Sequence, residues 1–270
     1  MRREYAREFT DRLELFLNRW VDEDLRAYVA ANSRLPGPRG NLELADAFAE
    51  AVAAQEKEWK AMWTLCSRWT AISPEEAPTN DPREFVAFCG ARGIGALGAP
   101  SPARAREALV HLRTLARDPR WRVREAVAMA IQDLVAGQPA AALRSLEDWV
   151  APGAWLEMRA VAAGLAEPRV LKEGKVARAA VDMHAEIVRR FRAAEDRGSD
   201  AVRTLRQCLA YSVSVVVAAA PEEGFRWMTR LAATKDPDVT WILKENLKKS
   251  RLADAFPGRV ERIQTLLRRG

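Results

Sequence analysis

The chain has 270 residues, and its content of 49% hydrophobic and 30% charged residues supports a sizeable core and excludes wholesale disorder. Its most apolar run, residues 213–220, is far too short to cross a bilayer. The formal net charge of +6 is unevenly placed, because residues 1–100 carry 13 Lys and Arg against 16 Asp and Glu, whereas residues 101–270 carry 30 against 21.

Two long helices are predicted at the start of the chain. Residues 4–31 place their apolar side chains near helical spacing. A break rich in Pro and Gly follows at residues 34–40, and a second long helix is predicted over residues 42–72. We expect these helices to form an N-terminal cap, residues 1–80, that covers one open end of the structure that follows.

The segment after this cap contains a glycine motif. Asp81 and Pro82 predict a helix start, because Asp can cap free amides and Pro fits the first helical position. Residues 93–98 spell GxGxxG, which binds a dinucleotide only after a buried strand and at a helix opening. Here residues 85–89 are predicted to end a helix, and Pro100 follows at once. We therefore predict an inter-helix loop for these glycines.

From residue 100 onward the chain becomes periodic. The second helices of successive pairs resemble one another, with Arg124, Arg159, Arg206 and Thr240 at matching positions that are 35, 47 and 34 residues apart. Periods of this size, built from two helices, indicate a solenoid, because one pair cannot bury its apolar face alone. The predicted pairs are residues 102–117 with 121–136, 139–150 with 153–166, 172–195 with 199–219 and 221–234 with 236–249, followed by a last helix at 257–268.

The turns within these pairs agree with that pattern. Asp118-Pro119 and Asp236-Pro237 each separate two predicted helices, and Pro followed by helical spacing of apolar residues marks a helix start. We therefore predict an all-α fold, a right-handed α-solenoid of helical hairpins in which residues 81–270 form one continuous repeat array.

At these residues the chain resembles HEAT repeats, which are armadillo-like helical repeats whose second helix often opens Asp-Pro-x-x-x-Val-Arg-x-x-Ala. More narrowly, it resembles the bacterial HEAT-like-repeat DNA alkylation-repair group, the alkylpurine DNA glycosylases and their inactive-looking relatives. The resemblance covers roughly residues 80–250. It depends on Trp121 just before Val123-Arg124-Glu125, on residues 155–159 with 167–169, and on residues 241–249.

The resemblance implies a catalytic set. Active members of that group use a Trp followed four residues later by an Asp, and an Arg that opens the second helix of the next repeat. The matching positions here are Trp121, Glu125 and Arg159. The acid departs from the family pattern, since Glu125 stands where Asp is expected, and its longer side chain changes the reach of the carboxylate. The resemblance therefore leaves open whether the chain is an enzyme.

Further residues are candidate DNA contacts. A recurring Arg on successive second helices can contact phosphates along a concave face, or it can bond an acid or a carbonyl of the adjoining repeat. Tryptophans at helix starts can stack on bases or sugars, or they can pack between repeats. The candidates are Arg124, Trp155, Arg206, Trp241, Lys244, Lys248 and Lys249.

Two functional classes remain open at this point. The first is a basic concave groove that binds duplex DNA, with cleavage of an alkylated purine as the possible activity. Cationic lesions have a weakened bond, so we expect such an enzyme to need no metal and no cofactor. The second class is a non-enzymatic scaffold that binds a protein or peptide in the same groove. In either class we expect a monomer that does not bind membranes.

The cysteines indicate a compartment and speak against a metal site. Cys66, Cys89 and Cys208 are far apart and form no CxxC pair, and the chain has only two His. This pattern predicts no metal site. An odd number of cysteines suits a reducing compartment, so we expect a cytoplasmic location.

Overall fold

A computed structural model describes residues 2–151 and 154–269. Over these residues the secondary structure is helical, with connecting turns and no strand. The predicted all-α class is therefore confirmed. No helix in the described part of the chain is long and apolar enough to cross a membrane. The chain divides into two compact units, Met1–Ala142 and Leu143–Gly270. The predicted boundary at residue 80, and the continuity of residues 81–270, stay predictions.

The first unit is built around a central buried helix, α5. This helix packs against α2, α3, α4, α6 and α7, while α1 packs on α2 and α3. Every residue of α5 except Ala96 is buried, so it forms the core of this unit. The helices of this unit are α1 (Arg2–Arg19), α2 (Glu23–Ala31), α3 (Leu42–Ala54), α4 (Trp59–Thr70), α5 (Glu84–Gly98), α6 (Pro102–Leu115) and α7 (Trp121–Gly137).

The second unit contains pairs of helices joined by short turns. Helix α11 packs between α9 and α13, and α12 packs on α10. Asn246 of α13 joins two of these helices, since its amide donates to the Leu209 carbonyl of α11 and accepts from the Ser214 amide. The helices are α9 (Trp155–Leu165), α10 (Gly174–Arg192), α11 (Asp200–Ala219), α12 (Pro221–Ala232), α13 (Pro237–Leu247), α14 (Ser250–Ala253) and α15 (Pro257–Arg269), and α8 (Pro139–Val150) spans the boundary between the units.

The predicted glycine loop is wrong. Residues 93–98 lie inside α5, where the missing side chains let other helices approach closely. A Cβ on Gly95 would lie 2.6 Å from the Cβ of Ala130 on α7, and one on Gly93 would lie 2.4 Å from the Cys66 sulfur on α4. Such contacts are too close for any side chain, so the GxGxxG spacing here serves helix packing.

Both long N-terminal helices are interrupted. The first breaks at Trp20, which adopts a left-handed φ of 56° and separates α1 from α2. The second is divided by a short 3-10 turn, Glu56–Glu58, between α3 and α4. Apolar periodicity continued across both breaks, and for that reason the sequence pattern did not reveal them. The helix predicted to start at Pro82 begins two residues later, at Glu84.

The limits of the helices predicted after residue 100 agree with the structure to within about three residues, and the short helix α14 was not predicted. Asp236 caps α13 as expected, accepting hydrogen bonds from the backbone amides of Asp238 and Val239. The first Asp-Pro turn works differently, because Asp118 bonds the amide and guanidinium of Arg120 rather than the amides of α7. The Arg120 guanidinium also donates to the carbonyls of Ile72 and Ala77, so this turn is tied to the loop before α5.

Candidate nucleic-acid interface

Two of the three predicted catalytic residues line one cavity in the first unit. Trp121 and Glu125 lie one turn apart at the start of α7, so both side chains project from the same face of that helix. They line a cavity of about 440 Å³. The other lining residues are Arg34, Pro38, Arg39, Gly40, Leu42, Glu43, Phe85, Phe88 and Arg122.

The cavity combines aromatic surface with charge. Phe85 and Phe88 are buried and stacked, with ring centroids 4.9 Å apart. Trp121 is 45% exposed, which is unusual for so large an apolar side chain. Arg34 and Arg39 are exposed cations, so the lining has charged groups of both signs beside aromatic rings. Such a lining can hold a flat ring and stabilise a developing charge.

The buried Arg122 contacts the Trp121 ring, which is part of the cavity lining. Its guanidinium lies over the Trp121 ring, 4.3 Å from the centroid. It also forms a 3.1 Å ion pair with the buried carboxylate of Glu84 and donates to the Asn80 side chain. These bonds tie the guanidinium that lies over the Trp121 ring to α5 and to the loop before it. The sequence pattern did not single out Arg122, although its position between two candidate residues was a signal.

Arg159, the third predicted catalytic residue, belongs to the second unit. It lies half-buried on the first turns of α9, and its carbonyl faces the Cys208 thiol of α11 at 3.7 Å. Trp155, a predicted DNA contact, opens the same helix and is also half-buried. The structure therefore brings Trp121 and Glu125 together at one cavity of the first unit. Arg159 belongs to the second unit and is not among the residues that line this cavity.

The recurring arginines make local bonds. Arg206 of α11 forms a 2.8 Å ion pair with Asp238 of α13, which is the bonding expected between adjoining pairs. Arg124 bonds its own turn instead, since its guanidinium donates to the carbonyls of Asp118 and Pro119 at 2.6 and 2.9 Å. The guanidinium groups of Arg124 and Arg206 therefore donate to acceptors within the protein. A role for either in DNA contact stays a prediction.

The candidates on α13 differ in how they are bonded. The Arg206 guanidinium covers the half-buried Trp241 ring at 3.8 Å from the centroid. Lys248 forms a 2.5 Å ion pair with Glu245. The exposed Lys244 and the half-buried Lys249 form no side-chain ion pair or hydrogen bond with the described residues. Their charges are therefore available to an anionic partner.

His184 and the three cysteines are buried, whereas His111 is half-buried. Burial lowers the pKa of His184 to about 4, so this ring is neutral near pH 7. Burial also raises the pKa of Cys66 and Cys89, which disfavours the reactive thiolate. No cluster of three or more His, Cys, Asp or Glu that could hold a metal ion occurs among the residues the structure describes.

Comparison with known proteins does not identify a family. No protein-family model matches this chain, and no curated protein matches it. A crystal structure of an engineered protein from the Northeast Structural Genomics Consortium is similar over 88% of this chain and 97% of its own, at 15% identity and a TM-score of 0.33. A TM-score that low carries no argument about fold or function.

Proposed function

We propose that this chain is a DNA-binding protein whose helix pairs stack as a right-handed, HEAT-like α-solenoid, with its N-terminal helices as a cap. The packing of α11 between α9 and α13, and of α12 on α10, supports such stacking within the second unit. A cytoplasmic, monomeric protein that needs no cofactor belongs to the same proposal.

The observation that carries DNA binding is the placement of charge. Residues 1–142 carry 20 Lys and Arg and 20 Asp and Glu, so the first unit has no formal net charge. Residues 143–270 carry 23 against 17 and hold the whole excess. A net positive charge that includes unbonded cations such as Lys244 attracts a polyanion such as DNA. When such cations neutralise phosphates, the counterions bound to the DNA are released, and this release favours binding.

Titration of the full chain with a fluorescent DNA duplex over a salt series tests this proposal. We expect affinity to fall as salt rises, with a slope of about −0.9 in log affinity against log salt for each phosphate contacted. Absence of binding at low salt would reject the proposal. Binding that does not respond to salt would also reject it, because contacts to backbone phosphates require a salt dependence.

The cavity around Trp121 and Glu125 favours a second candidate function, hydrolysis of an N-glycosidic bond in alkylated DNA. In this reaction the bond between the sugar carbon and the cationic base breaks, and the base leaves with the bonding electrons as a neutral molecule. The Glu125 carboxylate would stabilise the cationic sugar until water adds its oxygen to that carbon and releases a proton. Trp121 would supply an aromatic wall for the base.

Release of free base from methylated duplex DNA tests this second function. We expect Glu125→Gln to lower the rate by about 100-fold or more, because one stabilising charge is removed from the transition state. Glu43→Gln is the matched control, since Glu43 lines the same cavity and the same charge is lost. No release by the wild-type chain, or equal loss in both variants, would contradict a catalytic Glu125.

A further inference from the structure

Four arginines line one groove between α12 and α15 in the second unit. Arg226 and Arg230 lie one turn apart on α12, and Arg259 and Arg262 lie one turn apart on α15. The groove has a volume of about 460 Å³. Its lining is completed by Glu222, Phe225, Thr229 and Ile263.

The packing of the two helices explains why these charges converge. Phe225, Met228 and Leu231 bury one face of α12, and this places Arg226 and Arg230 on its exposed side. Among the described side chains of α15, Val260 and Ile263 are buried, and this helix packs on α12. The guanidinium groups from both helices therefore border the same open groove.

One of the four arginines, Arg259, is held by bonds to other groups of the protein. Arg259 donates to the Pro221 carbonyl at 3.1 Å and to the Glu222 carboxylate, and it lies over the Phe225 ring at 5.5 Å. The hydrogen bond from Arg259, together with the charges of Arg259 and Arg226, lowers the pKa of Glu222, which is therefore ionised near pH 7. Glu222 offsets one positive charge of the groove.

The other three arginines keep their hydrogen-bond donors available. Arg226, Arg230 and Arg262 are exposed, and none of them forms an ion pair or hydrogen bond with the described residues. Guanidinium groups bind phosphate oxygens with paired N–H donors. Three such groups around an open groove therefore have the charge and the donors to bind more than one phosphate.

We propose that the groove between α12 and α15 is a phosphate-binding site that holds the backbone of a nucleic-acid strand. Its openness favours a long polyanion over a small enclosed ligand, because the cations are exposed and border a groove instead of enclosing a chamber. Arginines four residues apart are separated by about 6 Å along a helix, so Arg226 and Arg230 can contact successive phosphates of one strand. This inference rests on the proposed DNA binding, and it names the groove between α12 and α15 as the place where the DNA backbone binds.

The test compares two variants that lose the same charge in the same unit. The groove variant is Arg226→Gln, Arg230→Gln and Arg262→Gln in one full-length chain. The matched control replaces three exposed cations outside the groove, Arg144→Gln, Lys175→Gln and Arg178→Gln. Melting temperatures of both variants are measured first, and we expect both to match the wild type, because Arg226, Arg230 and Arg262 form no ion pair or hydrogen bond with the described residues.

Duplex binding over a salt series then gives the outcome. We expect the groove variant to lose about 10-fold or more in affinity near 0.1 M salt, and its salt slope to become shallower by about 2 to 3. The control should keep most of the affinity and the slope. Equal losses in both variants would reject the groove as a site and leave the proposed DNA binding in place.

Two other outcomes concern the ligand itself. If the wild-type chain binds no DNA at low salt, both the proposed function and the proposed site are rejected. Vesicles of phosphatidylcholine with and without phosphatidylserine serve as the second arm. Arginine-dependent binding to the anionic vesicles, without binding to duplex DNA, would overturn a nucleic-acid strand as the ligand.

Discussion

Arginine has two distinct uses in this protein. Arg120, Arg122 and Arg206 bond carboxylates or carbonyls of other helices and loops, and they hold those elements together. Arg226 and Arg230 form no such bond with the described residues and face solvent. Because the guanidinium groups of Arg120, Arg122 and Arg206 bond other parts of the protein, these arginines serve structure, whereas Arg226 and Arg230 are available for binding.

Asn246 is a buried polar side chain whose hydrogen bonds link α13 to α11. Its side chain is fully buried and bonds the Leu209 carbonyl and the Ser214 amide of α11. We expect Asn246→Ala to lower the free energy of unfolding by about 2 to 4 kcal/mol, because its buried hydrogen bonds to two main-chain groups of α11 would be lost. Chemical denaturation provides the measurement.

Gln207→Ala is the control for Asn246→Ala, since Gln207 is exposed on α11 and its loss should change stability by no more than about 0.5 kcal/mol. Equal stability of the two variants would contradict a structural role for the Asn246 amide.

Individual bonding partners were harder to predict than residue types. The resemblance to the alkylation-repair group singled out Trp121 and Glu125, and the structure places both at one cavity. It did not single out Arg122 or Glu84, because the partner that buries Arg122 lies 38 residues away in sequence. Arg226 and Arg230 were also missed, since their significance depends on α15, which closes the groove from a distant part of the chain.

Helix α5 determines the organisation of the first unit at the scale of elements. Four glycines, at positions 90, 93, 95 and 98, would each place a Cβ within 3.0 Å of a neighbouring group. Glycine is unfavourable in a helix, so local propensity alone argues against this element. Close approach of α4, α6 and α7 explains why the glycines are there nevertheless.

Gly95→Ala tests that explanation. A methyl group at this position would meet the backbone and side chain of Ala130 on α7 at 2.6 to 3.1 Å, so the helices must move apart. We expect the free energy of unfolding to fall by about 1 to 3 kcal/mol despite the higher helix propensity of Ala. Thermal or chemical unfolding measures the change.

Gly258→Ala is the matched control for this substitution. A Cβ at Gly258 would have open space around it, so we expect no loss of stability there. A Gly95→Ala protein as stable as the control would show that close packing does not require this glycine.

The elements after residue 100 were predictable because their limits are local. Pro at the start of α6, α8, α12, α13 and α15 and short turns between the helices mark these boundaries in the sequence itself. The breaks near Trp20 and Glu56 have no such marker, because apolar spacing continues past both. Tertiary packing overrides local preference at α5, which explains why a helix stands where a loop was predicted.

At the scale of the whole molecule, charge separates the two units. The first unit is formally neutral and holds the aromatic cavity with Trp121 and Glu125. The second carries the net positive charge and the arginine groove between α12 and α15. We therefore propose that residues 143–270 bind phosphates and that the cavity of the first unit is the catalytic site.

Lysine labelling tests this assignment most directly, because exposed lysines occur in both units. Lys57 and Lys60 are exposed in the first unit, while Lys244 and Lys249 are candidate contacts in the second. The full chain is acetylated with and without saturating duplex DNA, and each lysine is quantified by mass spectrometry. We expect DNA to protect Lys244 and Lys249 and to leave the labelling of Lys57 and Lys60 unchanged. Equal protection of all four, or protection confined to Lys57 and Lys60, would contradict this assignment.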